Sequence, residues 1–368
     1  MVRVVGALCL AFAFTPSVAQ TPDSSNQSWS SSSDEQDAPV GSRTRKTESH
    51  TTDGNRTIDK LSVQILRSGS YEPYQDIERE SVKVNANTTR TIVRSYGRDS
   101  DGRRVLTQTT EEETQALPDG SGKVVRSTSN PDANGRLQVV QREVQETKKL
   151  SPTLQETSTT VMLPNSNGGL TPQMKTQERK ERTGEHTVQV QKSTMLPDPE
   201  GRWQTEEVKQ STITDDGKNR SSDEHVLRSD GGGPLAEVSR TVSKESEDGT
   251  GGSQGTIETY SRDVPGSSSD GSMRLVQRVT TAARNSGSGS RTTQQQVQQV
   301  NPGDPNAGLQ VTIQSTDAQS PSASGMEQTR TVQVRGSSGA LNVVSVDMTK
   351  SDKSLAVQVQ VAPTPKPK

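Results

Sequence analysis

The chain has 368 residues, 24% of them charged and 26% hydrophobic, with a formal net charge of −2. Leucine, isoleucine, valine and phenylalanine together make up less than a fifth of it, aromatic residues 2%, and there is one cysteine. Such a composition cannot fill a thick globular core, and it shows neither a basic stripe for nucleic acid or an anionic membrane nor a second thiol for a disulfide.

Residues 1–19 read as a secretory signal. Arg3 supplies the positive start, Val4 to Phe14 the apolar run, and Ser17-Val18-Ala19 the small residues expected before a cut at Gln20. The run is too short for a permanent membrane anchor. Cys9 lies early in it, which does not fit a lipid-modified cysteine. Removing the leader takes away Cys9, Phe12 and Phe14, so an exported chain would have to hold itself without disulfides.

Residues 20–57 are rich in serine, threonine and asparagine, as in Ser30-Ser31-Ser32-Ser33, and are expected to form a disordered tether. Residues 58–361 form the repeat region. Gly69, Gly102, Gly135, Gly168 and Gly201 are 33 residues apart, and Gly233, Gly271, Gly308 and Gly339 continue the series less regularly. A fixed period of this size marks a repeat architecture in which each unit leans on its neighbours.

Two classes of turn punctuate the region. Leu117-Pro118-Asp119-Gly120, Asn130 to Gly135, Leu163-Pro164-Asn165, Leu196 to Gly201 and Asn301 to Asp304 combine proline, an Asx residue and glycine. Glu181 to Gly184, Asp215-Asp216-Gly217, Asn285 to Gly289 and Ser351 to Lys353 fall midway. Two turns per period leave two strands per repeat, hence about eight repeats and sixteen strands.

Between the turns, His186 to Gln191, Thr331 to Arg335 and Ala356 to Val361 alternate valine with polar residues, the period of a strand. Arg136 to Thr147 alternates poorly. Leu137 and Val139 fall with Gln141, Glu143 and Gln145, while Val140 and Val144 fall with Arg142 and Glu146. Short turns favour an antiparallel pattern. The expected fold is therefore all-β: about eight 33-residue two-stranded units in an elongated antiparallel meander, with a β-solenoid as the alternative. Sixteen strands would span some 75 Å, a width at which a sheet twists, curls or closes. Residues 362–368 form a Pro/Lys tail, expected to be extended.

No catalytic constellation emerges. His50 falls in the expected tether, and His186 and His225 lie in equivalent strands of neighbouring repeats, without the cysteine or carboxylate spacing of a metal site. Asp99-Ser100-Asp101-Gly102 has the start of a calcium loop, but Gln108 stands where the bidentate glutamate belongs. Gly120-Ser121-Gly122-Lys123 is followed by Val124 and lacks the upstream glycine of a phosphate loop. Gly287-Ser288-Gly289 lacks a third glycine, and no Gly-x-Ser-x-Gly elbow occurs. Sequons at Asn26, Asn55, Asn87 and Asn219 matter only in a glycosylating host. The expected catalytic, cofactor-binding and metal-ligating residues are none, and no cofactor is implied.

These features imply an exported, non-catalytic repeat protein. It would be a structural or binding scaffold in the periplasm, at the cell surface or outside, with a protein or surface polymer as partner, no nucleic acid and no transmembrane helix. The alternatives are a fibre-forming, adhesin-like β-protein and an outer-membrane barrel. The barrel lacks the lipid-facing apolar band and paired aromatic girdles that its class requires.

Overall fold

The computed structural model describes residues 27–37, 42–229, 233–262, 272–286, 288–301, 303–322, 325–336 and 338–352. The leader, Gly271, residues 353–361 and the Pro/Lys tail lie outside this set. Among the described residues there are twenty strands and no helix. They are β1 (Gln27–Asp37), β2 (Ser42–Asp53), β3 (Arg56–Arg67), β4 (Ser70–Lys83), β5 (Thr88–Arg98), β6 (Arg104–Ala116), β7 (Gly122–Pro131), β8 (Leu137–Lys149), β9 (Leu154–Pro164) and β10 (Leu170–Arg182). The series continues with β11 (Thr187–Pro197), β12 (Trp203–Asp215), β13 (Asn219–Ser229), β14 (Leu235–Glu247), β15 (Ser253–Ser261), β16 (Arg274–Asn285), β17 (Arg291–Asn301), β18 (Asp304–Ser322), β19 (Gly325–Arg335) and β20 (Leu341–Asp352).

Each strand pairs antiparallel with the next, so the expected meander is present and the solenoid alternative does not hold. There are more strands than the expected sixteen. β1 and β2 fall within residues 20–57, the stretch expected to be a tether: they carry few apolar residues, yet the main chain of β2 pairs with β3 from Thr44↔Ile65 to Asp53↔Arg56. The meander also returns on itself. β1 pairs antiparallel with β20 through Ser33↔Ser351, Asp34↔Lys350, Glu35↔Thr349 and Gln36↔Met348. Twenty strands tilted at about 40° give a circumference equal to a circle about 40 Å across.

The turns after odd strands gather at one rim, here the first rim, and those after even strands at the second. Leu117 to Gly120 therefore belongs to the second rim, although it shares its residue types with the first-rim turns. Four first-rim turns are built by an aspartate or asparagine, Asp99, Asp132, Asn165 and Asp198. In the β7–β8 turn, Asp132 Oδ1 accepts the N–H groups of Asn134 (2.8 Å) and Arg136 (2.9 Å), the Asp132 N–H donates to the Arg136 carbonyl, and Gly135 takes φ 76°. A φ of that sign favours glycine because a Cβ would crowd the backbone.

Five residues after this glycine, the register slips. Thr128 faces Gln141 and Ser129 faces Val139, leaving Val140 as a bulge. Tyr74, Thr107, Gln173 and Glu206 are bulged in the same way, at the same 33-residue spacing as the glycines. Val238, Val276, Thr312 and Val344 follow in β14, β16, β18 and β20. A bulge adds local right-handed twist and bends its strand. Repeated in every even strand from β4 onward, it coils the sheet steadily in one direction, which is how a wide meander can meet its own first strand.

The sheet is a single layer. Strands pack against ladder neighbours, with slight approaches across one intervening strand. Among the described residues the buried apolar side chains are Val208, Val226 and Ala283, joined by the buried Thr91 and Thr109. Main-chain ladders and cross-strand pairs worth about 0.2–1 kcal/mol each hold such a layer.

Candidate functional site

Paired residues of an antiparallel ladder share a face, so the register assigns each strand residue to one of two surfaces. Two observations identify the outer one. Successive partners Thr51, Ile58, Glu80, Ile92, Glu111, Ser127, Arg142 and Met162 drift from the second rim toward the first as strand number rises. The Leu117–Ser121 turn bond shows that Ser121, and with it Lys123 and Val125, bonds toward β6. With the right-handed coil of closed sheets, this direction and drift put the face of Val125 and Ser127 outside.

Exposure agrees. Along β12, Gln210 and Thr212 are exposed while Lys209, Ser211 and Ile213 are half-buried. Along β6, Glu111, Glu113 and Gln115 are exposed and Thr110, Glu112 and Thr114 are half-buried. Side chains splay apart on a convex surface and crowd on a concave one.

The outer face is banded. Next to the first rim lies an apolar belt formed by cross-strand pairs: Leu66 with Tyr71, Tyr96 with Leu106, Pro131 with Leu137, Pro164 with Leu170, Pro197 with Trp203, and Tyr260 with Leu275. Leu137 (48% exposed) and Trp203 (39%) remain open to solvent.

Charges flank the belt on both sides, Arg98 and Arg104 on the first-rim side of Tyr96 and Leu106, and many are paired off. Arg56 bonds Glu80 (2.8 Å), Arg94 reaches the same carboxylate (3.4 Å), and Arg98 holds Asp76 (2.6 Å). Arg104 bonds Glu78 (2.7 Å) and lies over the Tyr96 ring, 3.5 Å from its centroid. Burial works against the Glu80 charge, but Arg94 and Arg56 outweigh it and hold its carboxyl below the usual range. Farther round, Glu258 is held low by the Tyr260 hydroxyl (2.8 Å) and by Arg278 (2.8 Å), and the same hydrogen bond raises Tyr260.

Two shallow, open grooves cross this face. One, about 840 Å³, spans β10 to β14 and is charged, with Arg179, Glu181, Asp223, His225 and Arg240 on its walls. Its charges are again paired: Arg179 with Glu181 (3.2 Å), Arg240 with Asp223 (2.7 Å), His225 with Glu237 (2.7 Å). The other, about 730 Å³, spans β13 to β18, and its outer-face lining is Gln254, Thr256, Thr280, Ala282, Gln294 and Gln314 among other small or amide side chains, with Lys244 near the β13–β14 end.

The sequence candidates are scattered. His186 lies at the second rim, its carbonyl accepting the Asp215 N–H, whereas His225 pairs with Gln210, five residues farther along β12, so the two do not converge. His50 bonds Asp59 at 2.6 Å. Among the described residues no group of three or more His, Cys, Asp or Glu side chains could hold a metal ion. Asp99 is occupied by its own turn, accepting the N–H groups of Asp101 (2.9 Å) and Arg103 (2.8 Å). Gly120 and Gly122 flank the β6–β7 turn, where Asp119 accepts the Ser121 N–H at 2.9 Å. Sequence reasoning did not find the two grooves, because their linings come from strands whose register no motif announces.

The sequence matches no family profile and no curated protein. Among solved structures, the chain is similar to OpdQ of Pseudomonas aeruginosa, with 8% identity over 90% of this chain and 98% of that one, at a TM-score of 0.40. It is also similar to the FrpB iron transporter of Neisseria meningitidis (F3-3 variant), with 8% identity over 88% of this chain and 73% of that one, at a TM-score of 0.40. At these scores neither likeness bears on fold or function. Among the described residues no helix is long and apolar enough to cross a membrane.

Proposed function

We propose that the protein is an exported, non-catalytic scaffold of the cell envelope or extracellular space that presents its outer face to a protein or surface polymer. The observation that carries this reading is how the charges on that face are spent: Arg56, Arg98, Arg104, Arg240 and Arg278 each meet a carboxylate of the same sheet. Charges paired in this way build a wall of neutralised ion pairs, and among the described residues these pairs leave no free acid or base of their own for chemistry. The open grooves offer contact area along several strands at once, which suits a long partner. Expression of the full chain in a bacterial host, followed by fractionation and mass analysis of the N-terminus, tests the export half. The reading expects a chain beginning at Gln20 outside the cytoplasm; an uncleaved cytoplasmic chain would overturn it.

A membrane-spanning barrel is a second reading, favoured by the β1–β20 pairing. Against it stand the charges that begin two or three residues from the first-rim belt, such as Arg142 below Val139. A lipid-facing band must stay apolar for about 25 Å. A fibre is opposed by the same pairing, since covered strand edges offer no template over those residues.

A further inference from the structure

We infer that the groove crossing β13 to β18 binds a neutral, hydroxyl-rich polysaccharide, an assignment that rests on the scaffold reading and names its polymer. The groove differs from the charged one in that its outer-face lining holds amides without an ion pair, Lys244 being the one charged side chain there. Gln254 faces Ala282, Ala282 faces Gln294, and Gln296 faces Thr280 on one side and Gln314 on the other, so the ladder sets the amides in adjoining rows. Gln254, Gln294 and Gln314 have no hydrogen-bond partner for their amides among the described residues, although each amide offers two donors and an acceptor. Gln296 is engaged locally, its Oε1 accepting from Gln298 Nε2 at 3.1 Å.

The floor is low because Thr256, Thr280 and Ala282 are small. A polymer lying across it would meet free amides and threonine hydroxyls from β15 to β18, along about 14 Å, the width of three strand spacings. An anionic polymer would find one outer-face cation in the groove lining, Lys244, with Arg284 one outer-face position beyond Ala282, while the neighbouring Arg240 and Arg278 are already paired. A polypeptide would be expected to dock through apolar anchors, and the groove has none beyond Ala282. What remains is a chain of uncharged hydroxyls, which both donate and accept as the amides do.

The test is affinity electrophoresis of the purified mature chain in gels containing dextran, a β-glucan or alginate, with and without added salt. We expect retardation by a neutral glucan that salt leaves unchanged. The triple variant Q254A/Q294A/Q314A should lose about tenfold in affinity, the equivalent of three modest hydrogen bonds. A control variant, Q177A/Q191A, on the same face outside this groove, should bind like the parent. Circular dichroism checks the fold; if the triple variant misfolds, Q294A alone is compared with the parent, with a smaller loss expected. No retardation by any neutral glucan, retardation by alginate alone that salt abolishes, or a native-like variant binding at full strength would each overturn the assignment. None of these outcomes touches the export result, so the two readings fail separately.

Discussion

At the scale of single residues, the turns do the specifying. Gly135 has open space around its Cβ position but a φ of 76°, so Gly135→Ala is opposed by backbone strain alone. We expect a loss of about 1–2 kcal/mol in a denaturant melt, with Gly135→Asn costing less because asparagine tolerates that region. The turn carboxylates add an acid limit. Asp216 is lowered to about 2, first by the Asn219 N–H, then by the Asn219 side chain and the Lys218 N–H. Asp132 is lowered by the N–H groups of Arg136 and Asn134. A carboxyl with a depressed folded pKa takes up its proton more readily in the unfolded chain. Its contribution is therefore complete above about pH 4 and drains away as pH falls toward 2. Acid titration of stability should show this loss, and Asp216→Asn should flatten part of the slope. Unchanged stability between pH 5 and 2 would contradict the role given to these turns.

At the scale of the element, the hairpin with its bulge explains what could and could not be read from sequence. The glycine spacing, the turn chemistry and the antiparallel pattern were legible because each depends on local residues. The faces were not. Arg136 to Thr147 alternates poorly in sequence because Val140 is unpaired; once it is skipped, Leu137 and Val139 join Arg142, Val144 and Glu146 on the outer face. Any bulge shifts the phase of a period-2 pattern in this way. The amide-lined groove was hidden for the same reason, since its rows depend on registers set by bulges at Val276 and Thr312. Deleting Val140 should restore regular pairing of β7 with β8 while keeping both faces. Deleting Val140, Gln173 and Glu206 together should preserve strand content by circular dichroism yet widen the coil, seen as a larger radius in small-angle scattering. An unchanged radius would mean that the bulges do not set the curvature.

At the scale of the whole molecule, low hydrophobic content and a regular fold are compatible because closure replaces a core. Residues 27–53 looked like a tether for want of apolar residues, yet β1 is the strand that meets β20, and there main-chain pairing suffices. The leader is expected to carry off the only cysteine, Cys9, which makes the seam directly testable. Cysteines placed at Ser33 and Ser351, register partners across the seam, can be joined by oxidation or by a short thiol cross-linker in dilute, monomeric protein. A closed sheet predicts rapid intramolecular linkage, absent when Ser351 is instead paired with a cysteine at Ser211 in β12. Failure of the Ser33–Ser351 pair to link, or linkage only between molecules, would show an open sheet and contradict the account.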